Sequence, residues 1–492
     1  MNLSDHAAFC SSEPLSFPIR SRFSRRTFLR ALGVTALSSP WLTGCQNPKP
    51  TAAKVQAAPK SPATPKVLLP NSRLQHACIG VGGMGWGDLQ NFLQHPKVEV
   101  IALCDVDADN LAKAAQAAPR ARLYADWREL LHKEASQLDS INVAVPDHMH
   151  FPIAYCAIEQ KKNVYCQKPL CHDVAEVRAL SDAAAKHGVV TQLGTQMAST
   201  VHERTAVRWL QEGRIGKVTH AYLCSNRPGA VDTYRLAGPR PLTGAPPPPG
   251  LNWDLWLGTA PVRPFAPEIY HPTKWRAWQD FGTGWSGDIG CHIFDPVWKG
   301  LELTAPLSVM AEVQDSWQKS PARRNDTWPQ ADHITWTFPA IERVSGTELV
   351  VEWFDGQFYP PAHIRKLAGS DLKEYPPESS MLIGTEGSLL IPHGYPPQLL
   401  PESHFKDVPH PQLPPRNHYH HFVDACLGGE ETESHFSRTG PMAEAILLGT
   451  VAIRFPGEEL NWDAGAMKFK DHQEANRHLA RSYRDGWHVA HF

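Results

Sequence analysis

Apolar residues recur along this chain with two different periods. From Arg73 to Leu193, short apolar runs alternate with stretches in which apolar positions return every three to four residues, as on an amphipathic helix. The strand-like runs include Val98–Cys104, Ser140–Val145 and Asn163–Cys166. Because strands that alternate with helices form parallel sheets, this part of the chain predicts a six-stranded, doubly wound α/β sheet.

Beyond His202 the apolar residues follow the every-second-residue pattern of strands that bury one face. The pattern is found at Gly216–Asn226, Asp332–Phe338, Glu348–Phe354 and Met381–Ile391. It is typical of an open, largely antiparallel sheet. Helix-like stretches follow at His418–Leu427 and Pro441–Phe455. We therefore predict a parallel α/β domain over residues 73–197 and an α+β domain with C-terminal helices over residues 198–492.

A glycine-rich turn joins the first predicted strand to the first helix. Its spacing is G-x-G-x-x-G, and it contains Gly80, Gly82, Gly83, Met84 and Gly85. The first glycine of such a turn permits a tight bend, the second lets backbone approach a pyrophosphate, and the third lets helix pack on strand. Asp105 ends the second strand about 20 residues later, where a carboxylate can accept both ribose hydroxyls. The segment predicts a Rossmann domain that binds NAD, since Asp105 would repel the 2′-phosphate of NADP.

Three later strand ends fall at the same edge of the predicted sheet. They carry Pro146 to His150, Gln167-Lys168-Pro169 and Gly194-Thr195-Gln196. Ligands of doubly wound sheets bind at the carboxyl ends of the strands. We therefore expect this edge to border the cofactor through Pro146, His150, Gln167, Lys168 and Gln196. Lys168 and Gln196 should also reach the substrate.

A carboxylate and an imidazole lie four residues apart in the second predicted domain. Asp288 and His292 share one face if their segment is helical. Imidazole can take the proton of a carbinol because its ordinary pKa lies near neutrality. Such a pair can also bind a metal, but we see no dedicated third ligand and predict no metal site. Glycine-punctuated loops upstream carry further candidates for substrate contact, namely Tyr270, Trp275, Arg276 and Trp285.

Together these features resemble the glucose–fructose oxidoreductase, inositol dehydrogenase and rhizopine-catabolism (Gfo/Idh/MocA) family. The resemblance runs from about Arg73 to the C-terminus. It implies that Lys168 touches nicotinamide ribose and substrate, and that Asp288 and His292 complete the catalytic site. The family usually has Glu where this chain has Gln167, which removes a charge beside Lys168 but keeps a hydrogen-bonding side chain.

The N-terminal segment reads as an export signal followed by a tether. Arg25 and Arg26 precede an apolar run in the layout of a twin-arginine signal, and Leu42-Thr-Gly-Cys45 resembles a bacterial lipobox. The alternative is that Cys45 follows an ordinary signal by chance. We expect residues 1–45 to be the signal and residues 46–72 a Pro/Ala-rich linker. The mature protein should then lie in the periplasm or cell envelope, anchored to the membrane by a lipid on Cys45.

Composition and net charge argue against a nucleic-acid-binding protein and against a zinc ribbon. The chain has 492 residues, of which 42% are hydrophobic, enough for two or three domains. Its net charge of −2 argues against a nucleic-acid partner. Its ten cysteines contain no C-x-x-C pair, which argues against a zinc ribbon.

We therefore predict an exported, homo-oligomeric oxidoreductase that transfers hydride between tightly bound NAD and a carbinol of a sugar, glycoside or polyol. The first alternative is a redox-neutral glycosidase, in which NAD oxidises the sugar, a linkage is eliminated and the hydride returns. The family contains both kinds of enzyme, and the fold does not separate them. The second alternative is a sugar-binding lipoprotein without catalysis.

Overall fold

The computed structural model describes residues 73–227, 238–369, 375–490 and 492. The predicted signal and linker, residues 1–72, lie outside the described residues. Two sheets organise the described chain, and both belong to the same structural unit. Within the described residues, no helix combines the length and the apolar character needed to cross a membrane.

The first sheet has six parallel strands in the order β3-β2-β1-β4-β5-β6. They are β1 Leu74–Ile79, β2 Val98–Cys104, β3 Arg122–Tyr124, β4 Ser140–Val143, β5 Asn163–Cys166 and β6 Thr191–Leu193. The central strands are almost wholly buried because helices cover both faces. The predicted doubly wound sheet is confirmed, although the hydrophobic pattern did not locate the short strand β3. The strand order reverses between β1 and β4, where sheets of this type open a ligand crevice.

Helices connect these strands and lead away from the sheet. They are α1 Gly83–Leu93, α2 Ala108–Ala117, α3 Trp127–Glu134, α4 His150–Glu159, α5 Val174–His187 and α6 Val201–Gln211. The side chains of Asp107, Asp126 and Asp173 accept backbone N–H groups at the starts of α2, α3 and α5. By contrast, α1 starts behind the glycine turn with Gly82 as a cap that has no side chain. Its first N–H groups can therefore bind an anion.

The second sheet has nine strands in the order β13-β12-β11-β7-β10-β9-β8-β14-β15. They are β7 Val218–Ser225, β8 Ser308–Val313, β9 Asp332–Pro339, β10 Glu348–Asp355, β11 Glu378–Gly384, β12 Ser388–Pro392, β13 Gln398–Leu400, β14 Leu460–Asp463 and β15 Lys468–Phe469. Only the β7–β10 pair is parallel among these described strands, so the largely antiparallel sheet is confirmed. The single stretch predicted at Met381–Ile391 is instead the hairpin of β11 and β12, in which Met381 pairs with Leu390.

The remaining helices cover both sheets. They are α7 Trp253–Leu257, α8 Gly284–Leu301, α9 Asp315–Gln318, α10 Pro321–Arg324, α11 Ala362–Arg365, α12 Glu402–Phe405, α13 His418–Cys426, α14 Phe436–Ala452 and α15 Gln473–Asn476. The predicted start of a helix at Pro441 is wrong. Helix α14 begins at Phe436, whose N–H donates to Thr191 Oγ1 at 3.0 Å, so a tertiary contact sets the start. Helices α13 and α14 pack on α1 and α5 and thus complete the cover of the first sheet.

Candidate active site

A cleft of about 510 Å³ opens at the carboxyl ends of β1, β2, β4 and β5. Its volume lies in the range of ordinary small-molecule sites. The predicted cofactor residues that line it are Gly80, Gly82, Gly83, Met84, Asp105, Pro146, Gln167 and Lys168. Strand ends that are far apart in sequence therefore meet at one site, as the parallel topology requires.

The geometry of the glycine turn fits the roles predicted for its residues. Gly80 has a φ of +79°, and a Cβ on it would overlap the carbonyl oxygen of Ala144. A Cβ on Gly85, in the first turn of α1, would overlap the carbonyl of Gly80. Strand, turn and helix can approach one another this closely only because both residues are glycine. The start of α1 is thereby held at the mouth of the cleft.

Asp105 anchors the glycine turn, a role that the sequence did not reveal. Its Oδ2 accepts the backbone N–H groups of Val81 at 2.9 Å and Gly82 at 3.2 Å, while Oδ1 accepts that of Asp107 at 2.9 Å. Burial raises the pKa of Asp105, and these backbone hydrogen bonds oppose the rise. Carboxylate oxygens have further lone pairs, so Asp105 can still accept the ribose hydroxyls for which it was predicted.

The described residues fit NAD. The backbone of the glycine turn and the start of α1 would hold the pyrophosphate, and Asp105 would hold the adenosine ribose. Lys168 lines the same cleft and would lie at the nicotinamide ribose. The space beside Gly83 is open, because a Cβ on it would meet no described atom within 4 Å, whereas the Asn110 side chain lies against Gly82.

Gln167 is held by an acid from α1. Its Nε2 donates to Asp88 Oδ1 at 3.0 Å and to Oδ2 at 2.9 Å, and the hydroxyl of Tyr419 donates to Oδ1 at 2.8 Å. Asp88 is fully buried, and burial raises its pKa to about 6. Asp88 therefore holds the Gln167 amide in place from the neighbouring helix.

Lys168 forms a buried ion pair with Asp288. Lys168 Nζ lies 2.5 Å from Asp288 Oδ1 and donates to the Asp288 carbonyl at 3.1 Å, while Arg276 Nε lies 3.4 Å from Oδ2. The side chains of Lys168 and Asp288 are 13% and 6% exposed. Two buried charges at this separation hold each other in place, so the ammonium is fixed before a ligand arrives. Asp288 thus orients Lys168.

Asp147 is a functional candidate that the sequence analysis missed. It lines the cleft and accepts the N–H and hydroxyl of Thr283 at 3.1 and 3.0 Å. Burial, and then the negative charge of Asp288, raise its pKa to about 7. A carboxyl with such a pKa is typical of functional sites. Its position directly after Pro146, at a strand end, was the available signal, but the approach of Thr283 and Asp288 depends on the tertiary fold.

His292 lies one turn beyond Asp288 on α8, as the spacing predicted, but it does not line the main cleft. It borders a second, smaller cavity together with Glu203 and His393. Burial first, and then the positive charges of Lys168 and His393, lower the pKa of His292 well below its ordinary value, while Asp288 opposes this change. His292 therefore borders the second cavity and is near enough to Lys168 and Asp288 for both charges to act on its pKa.

Two of the predicted substrate contacts are packing residues. Trp275 and Arg276 line the cleft as predicted. Tyr270 is 1% exposed and packs edge-to-face on Trp278 in an aromatic cluster. The indole N–H of Trp285 donates to Ser225 at 3.1 Å. The prediction for Tyr270 and Trp285 is corrected accordingly, because aromatic bulk near a glycine-rich loop serves packing as readily as binding.

Two other predicted residues, Gln196 and His150, do not line the cleft but form hydrogen bonds with neighbouring groups. Gln196 Nε2 donates to the hydroxyls of Tyr419 at 3.2 Å and Tyr165 at 3.4 Å. His150 is buried, with its ring nitrogens 2.6 Å from the Pro169 carbonyl and 2.8 Å from that of Val145. His150 therefore ties the strand end after β4 to the Lys168–Pro169 turn and does not line the cleft itself.

A strap from the second half of the chain crosses the adenosine end of the cleft. Ala108 N–H donates to Gly250 at 3.0 Å, and Asn252 N–H donates to Val106 at 2.9 Å. His271 Nε2 then lies 3.1 Å from Asp107 Oδ2. We call residues 250–273 the strap. Its members Leu255, Trp256, His271, Pro272 and Thr273 line the cleft.

Two family profiles match the chain. Residues 74–195 match the NAD-binding Rossmann fold of the GFO_IDH_MocA oxidoreductase family, and residues 206–338 match the C-terminal alpha/beta domain of that family. The chain belongs to the Gfo/Idh/MocA oxidoreductase family. NAD as the cofactor, which the glycine spacing predicted, is therefore confirmed, and the matched Rossmann fold includes the strand ends that line this cleft.

Curated relatives match the chain over part of their length. A D-apiose dehydrogenase of Paraburkholderia graminis is 30% identical over 29% of this chain and 38% of its own. A glycosyl hydrolase family 109 protein of Shewanella pealeana is 25% identical over 40% of this chain and 45% of its own. An uncharacterised oxidoreductase, YrbE of Bacillus subtilis, is 28% identical over 32% of this chain and 47% of its own. The chain thus spans less than half the length of these relatives.

Solved structures share the fold over most of the chain. The WlbA dehydrogenase of Bordetella pertussis, in complex with NADH and UDP-GlcNAcA, covers 80% of this chain and 99% of its own, with a TM-score of 0.53 and 14% identity. An aldose-aldose oxidoreductase of Caulobacter crescentus covers 79% of this chain and 100% of its own, with the same TM-score and identity. At such identities the likeness shows the fold alone.

Proposed function

We propose that this chain is an exported, NAD-dependent oxidoreductase that transfers hydride between a carbinol of a sugar, glycoside or polyol and a tightly held NAD. The observation that carries the proposal is the Lys168–Asp288 ion pair, which lies 2.5 Å apart at the cleft where the nicotinamide would lie. Bound NAD supplies the hydride acceptor. The named dehydrogenases among the relatives support a sugar or sugar-like substrate.

In the proposed mechanism, Lys168 Nζ donates a hydrogen bond to the hydroxyl oxygen of the substrate. This contact stabilises the negative charge that develops on the oxygen as the C–H hydride leaves. His292 does not line the cleft, so the substrate hydroxyl would have to reach it beside the Lys168–Asp288 pair. There the lowered pKa of His292 keeps its imidazole neutral and able to accept the hydroxyl proton. The carbinol becomes a carbonyl, having lost one hydride and one proton. Asp288 holds Lys168 in place, and Arg276 shares the charge of Asp288.

The redox-neutral glycosidase is the second candidate, favoured by the relatives named as glycosyl hydrolase family 109 proteins. The same Lys168 and His292 would serve the transient oxidation. The non-catalytic binding protein is disfavoured, since an aligned, buried Lys–Asp pair costs desolvation energy that sugar binding alone does not require.

One experiment separates these candidates. Purified protein is denatured and its released nucleotide identified, and intact protein is mixed with free sugars, polyols and nitrophenyl glycosides. A dehydrogenase should release NAD on denaturation and show lasting absorbance of reduced nicotinamide with a carbonyl product. A glycosidase should release nitrophenol without lasting reduction. Release of NADP, or neither reaction with any compound of the panel, would contradict the proposal.

Export and anchoring form a separate part of the proposal, supported by Arg25, Arg26 and the lipobox that ends at Cys45. Outside the cytoplasm there is no ready NAD pool, so the cofactor would be carried out inside the folded protein. Mass spectrometry of the native N-terminus should find an acylated Cys45, and Cys45→Ala should release the protein from membranes. An unmodified N-terminus elsewhere would remove the anchor. We also propose a homo-oligomer, which light scattering of the purified protein would test.

A further inference from the structure

His292 lines the second cavity, whereas Lys168 lines the main cleft. The void of the second cavity is about 10 Å³, the space of roughly one water molecule. It lies among α6, α8 and the end of β12, and its polar lining residues are Thr200, His202, Glu203, His292, Ser380 and His393. The void is thus too small for a sugar ring and suited to a single small polar molecule.

Two buried polar atoms at this cavity have no hydrogen-bond partner among the residues that the structure describes. They are Nδ1 of His292 and Oε1 of Glu203, and both side chains line the void. Buried polar atoms without partners cost free energy, so they are nearly always satisfied by protein or by ordered water. A polar void of this size, with two or more such atoms around it, is where a buried water is stable.

The proposed reaction requires an onward path for the proton at this place. His292 accepts a proton from the carbinol, yet burial and the nearby charges of Lys168 and His393 disfavour the imidazolium. A base in that situation passes its proton on rapidly. If Nε2 of His292 has received the proton of the carbinol, then Nδ1 is the nitrogen that releases a proton.

We propose that this cavity holds one water, bonded to His292 Nδ1 and Glu203 Oε1, which relays the carbinol proton from His292 towards solvent. The proposal rests on the proposed function. In the step, the N–H bond at His292 Nδ1 breaks as the relay water gains that proton, and the relay water transfers one of its own protons to a solvent water at the edge of the cavity. The electron pair of the N–H bond stays on the imidazole, and no redox change occurs. Tyr395, which is 70% exposed, lines the same cavity and connects its lining to solvent.

Glu203 acts as a positioning residue in this relay. Burial, and then the charge of Asp295, raise the pKa of Glu203 well above its usual range, which favours its neutral carboxyl. Asp295 itself pairs with Lys299 Nζ at 2.6 Å. A neutral carboxyl can direct its O–H to Asp295 and accept the water at Oε1.

The test uses the full-length holoprotein and a sugar that reduces its bound NAD. Glu203→Leu removes the water's acceptor, whereas Glu203→Gln keeps an oxygen towards the void and a donor towards Asp295. Glu212→Leu, the same change on the exposed end of α6, is the matched control. Single-turnover proton release is followed with a pH indicator, with and without added imidazole. The ¹⁵N chemical shift of His292 Nδ1, assigned with His292→Gln, reports the hydrogen bond without turnover.

Glu203→Leu should slow proton release at least about tenfold, and imidazole should restore it because a mobile buffer replaces the water. The His292 Nδ1 shift should move towards that of an unbonded nitrogen. Glu203→Gln and Glu212→Leu should stay within about twofold of the native rate. Native proton release in Glu203→Leu, slow release that imidazole does not restore, or an unchanged Nδ1 shift would each overturn the relay. If no sugar reduces NAD in the native protein, the proposed function fails, and the shift still decides whether the water bridge exists.

Discussion

Gln167 Nε2 lies 3.0 and 2.9 Å from the two carboxylate oxygens of Asp88. Because an amide nitrogen only donates and a carboxylate only accepts, the pair is complementary in this arrangement alone. A glutamate at position 167 would instead place two acids together in a buried site. Asp88 on α1 therefore complements the amide of Gln167.

The first prediction follows from this complementarity. Gln167→Glu should lower the free energy of unfolding by about 3 kcal/mol, because it places a second carboxylate beside the buried carboxylate of Asp88. Adding Asp88→Asn should recover most of that loss, because the donor and acceptor are then exchanged. Urea unfolding of the four proteins gives the coupling energy. Gln160→Glu, an exposed change at the end of α4, is the control. Equal stability of Gln167→Glu and the native protein would contradict this account.

The second prediction concerns pH. Burial raises the pKa of Asp88 to about 6, from about 4 in the unfolded chain. Between these values the native state holds a proton that the unfolded state has lost, so the contribution of Asp88 to stability falls as pH rises from 4 to 6. The change amounts to about 3 kcal/mol. Urea unfolding across this range should show a flatter curve for Asp88→Asn than for the native protein. Parallel curves would mean that Asp88 is not perturbed.

The sequence predicted the features that depend on local order along the chain. The glycine turn, Asp105 and Lys168 were found because parallel strands deliver their ends to one edge whatever packs around them. Asp88 was missed because one acid in a helix looks like any surface charge until Tyr419, far along the chain, covers it. His292 was placed on the correct helix face. Its separation from the main cleft depends on how α6 and the end of β12 enclose it.

The third prediction concerns the strap. His271 Nε2 bonds to Asp107 Oδ2 at 3.1 Å across the adenosine end of the cleft. Without the imidazole, the strap loses a hydrogen bond that contributes about 1 kcal/mol to holding it over the cleft. His271→Ala should therefore release bound NAD about five times faster. Dilution of the holoprotein into a nucleotide-scavenging enzyme would measure the rate. His132→Ala, on the exposed surface of α3, should release NAD at the native rate. If both variants do so, the strap does not retain the cofactor.

The fourth prediction concerns the C-terminal tail. Arg481 bonds to Glu176 at 2.7 Å, to the His148 carbonyl at 2.6 Å and to Thr259 Oγ1 at 2.9 Å. Glu176 is fully buried, so Arg481→Ala would leave a buried carboxyl without its cation. The loss should be about 3 to 5 kcal/mol in denaturant unfolding. Arg477→Ala, exposed on the same tail, should change stability by less than about 0.5 kcal/mol. Similar values for the two variants would show that the tail does not brace the loop at His148.

The last prediction concerns Lys168. Lys168→Met keeps the length and apolar stem of the side chain but removes the ammonium that would contact the substrate hydroxyl. Misplaced acid–base groups typically cost about 100- to 10,000-fold in rate, so reduction of bound NAD by an active sugar should slow by that factor. Nucleotide content should stay at the native level, because the glycine turn and Asp105 hold the pyrophosphate and ribose.

Single-turnover absorbance of the bound nicotinamide measures this rate. Lys186→Met makes the same change on the exposed face of α5, where the side chain is 67% exposed, and should leave the rate unaltered. Asp288 keeps Arg276 as a partner when Lys168 is replaced, with Arg276 Nε 3.4 Å from its Oδ2, so the variant should fold. Native thermal unfolding together with a lost rate would therefore assign Lys168 to the chemical step. A native rate in Lys168→Met would leave the ion pair with Asp288 as a purely structural contact.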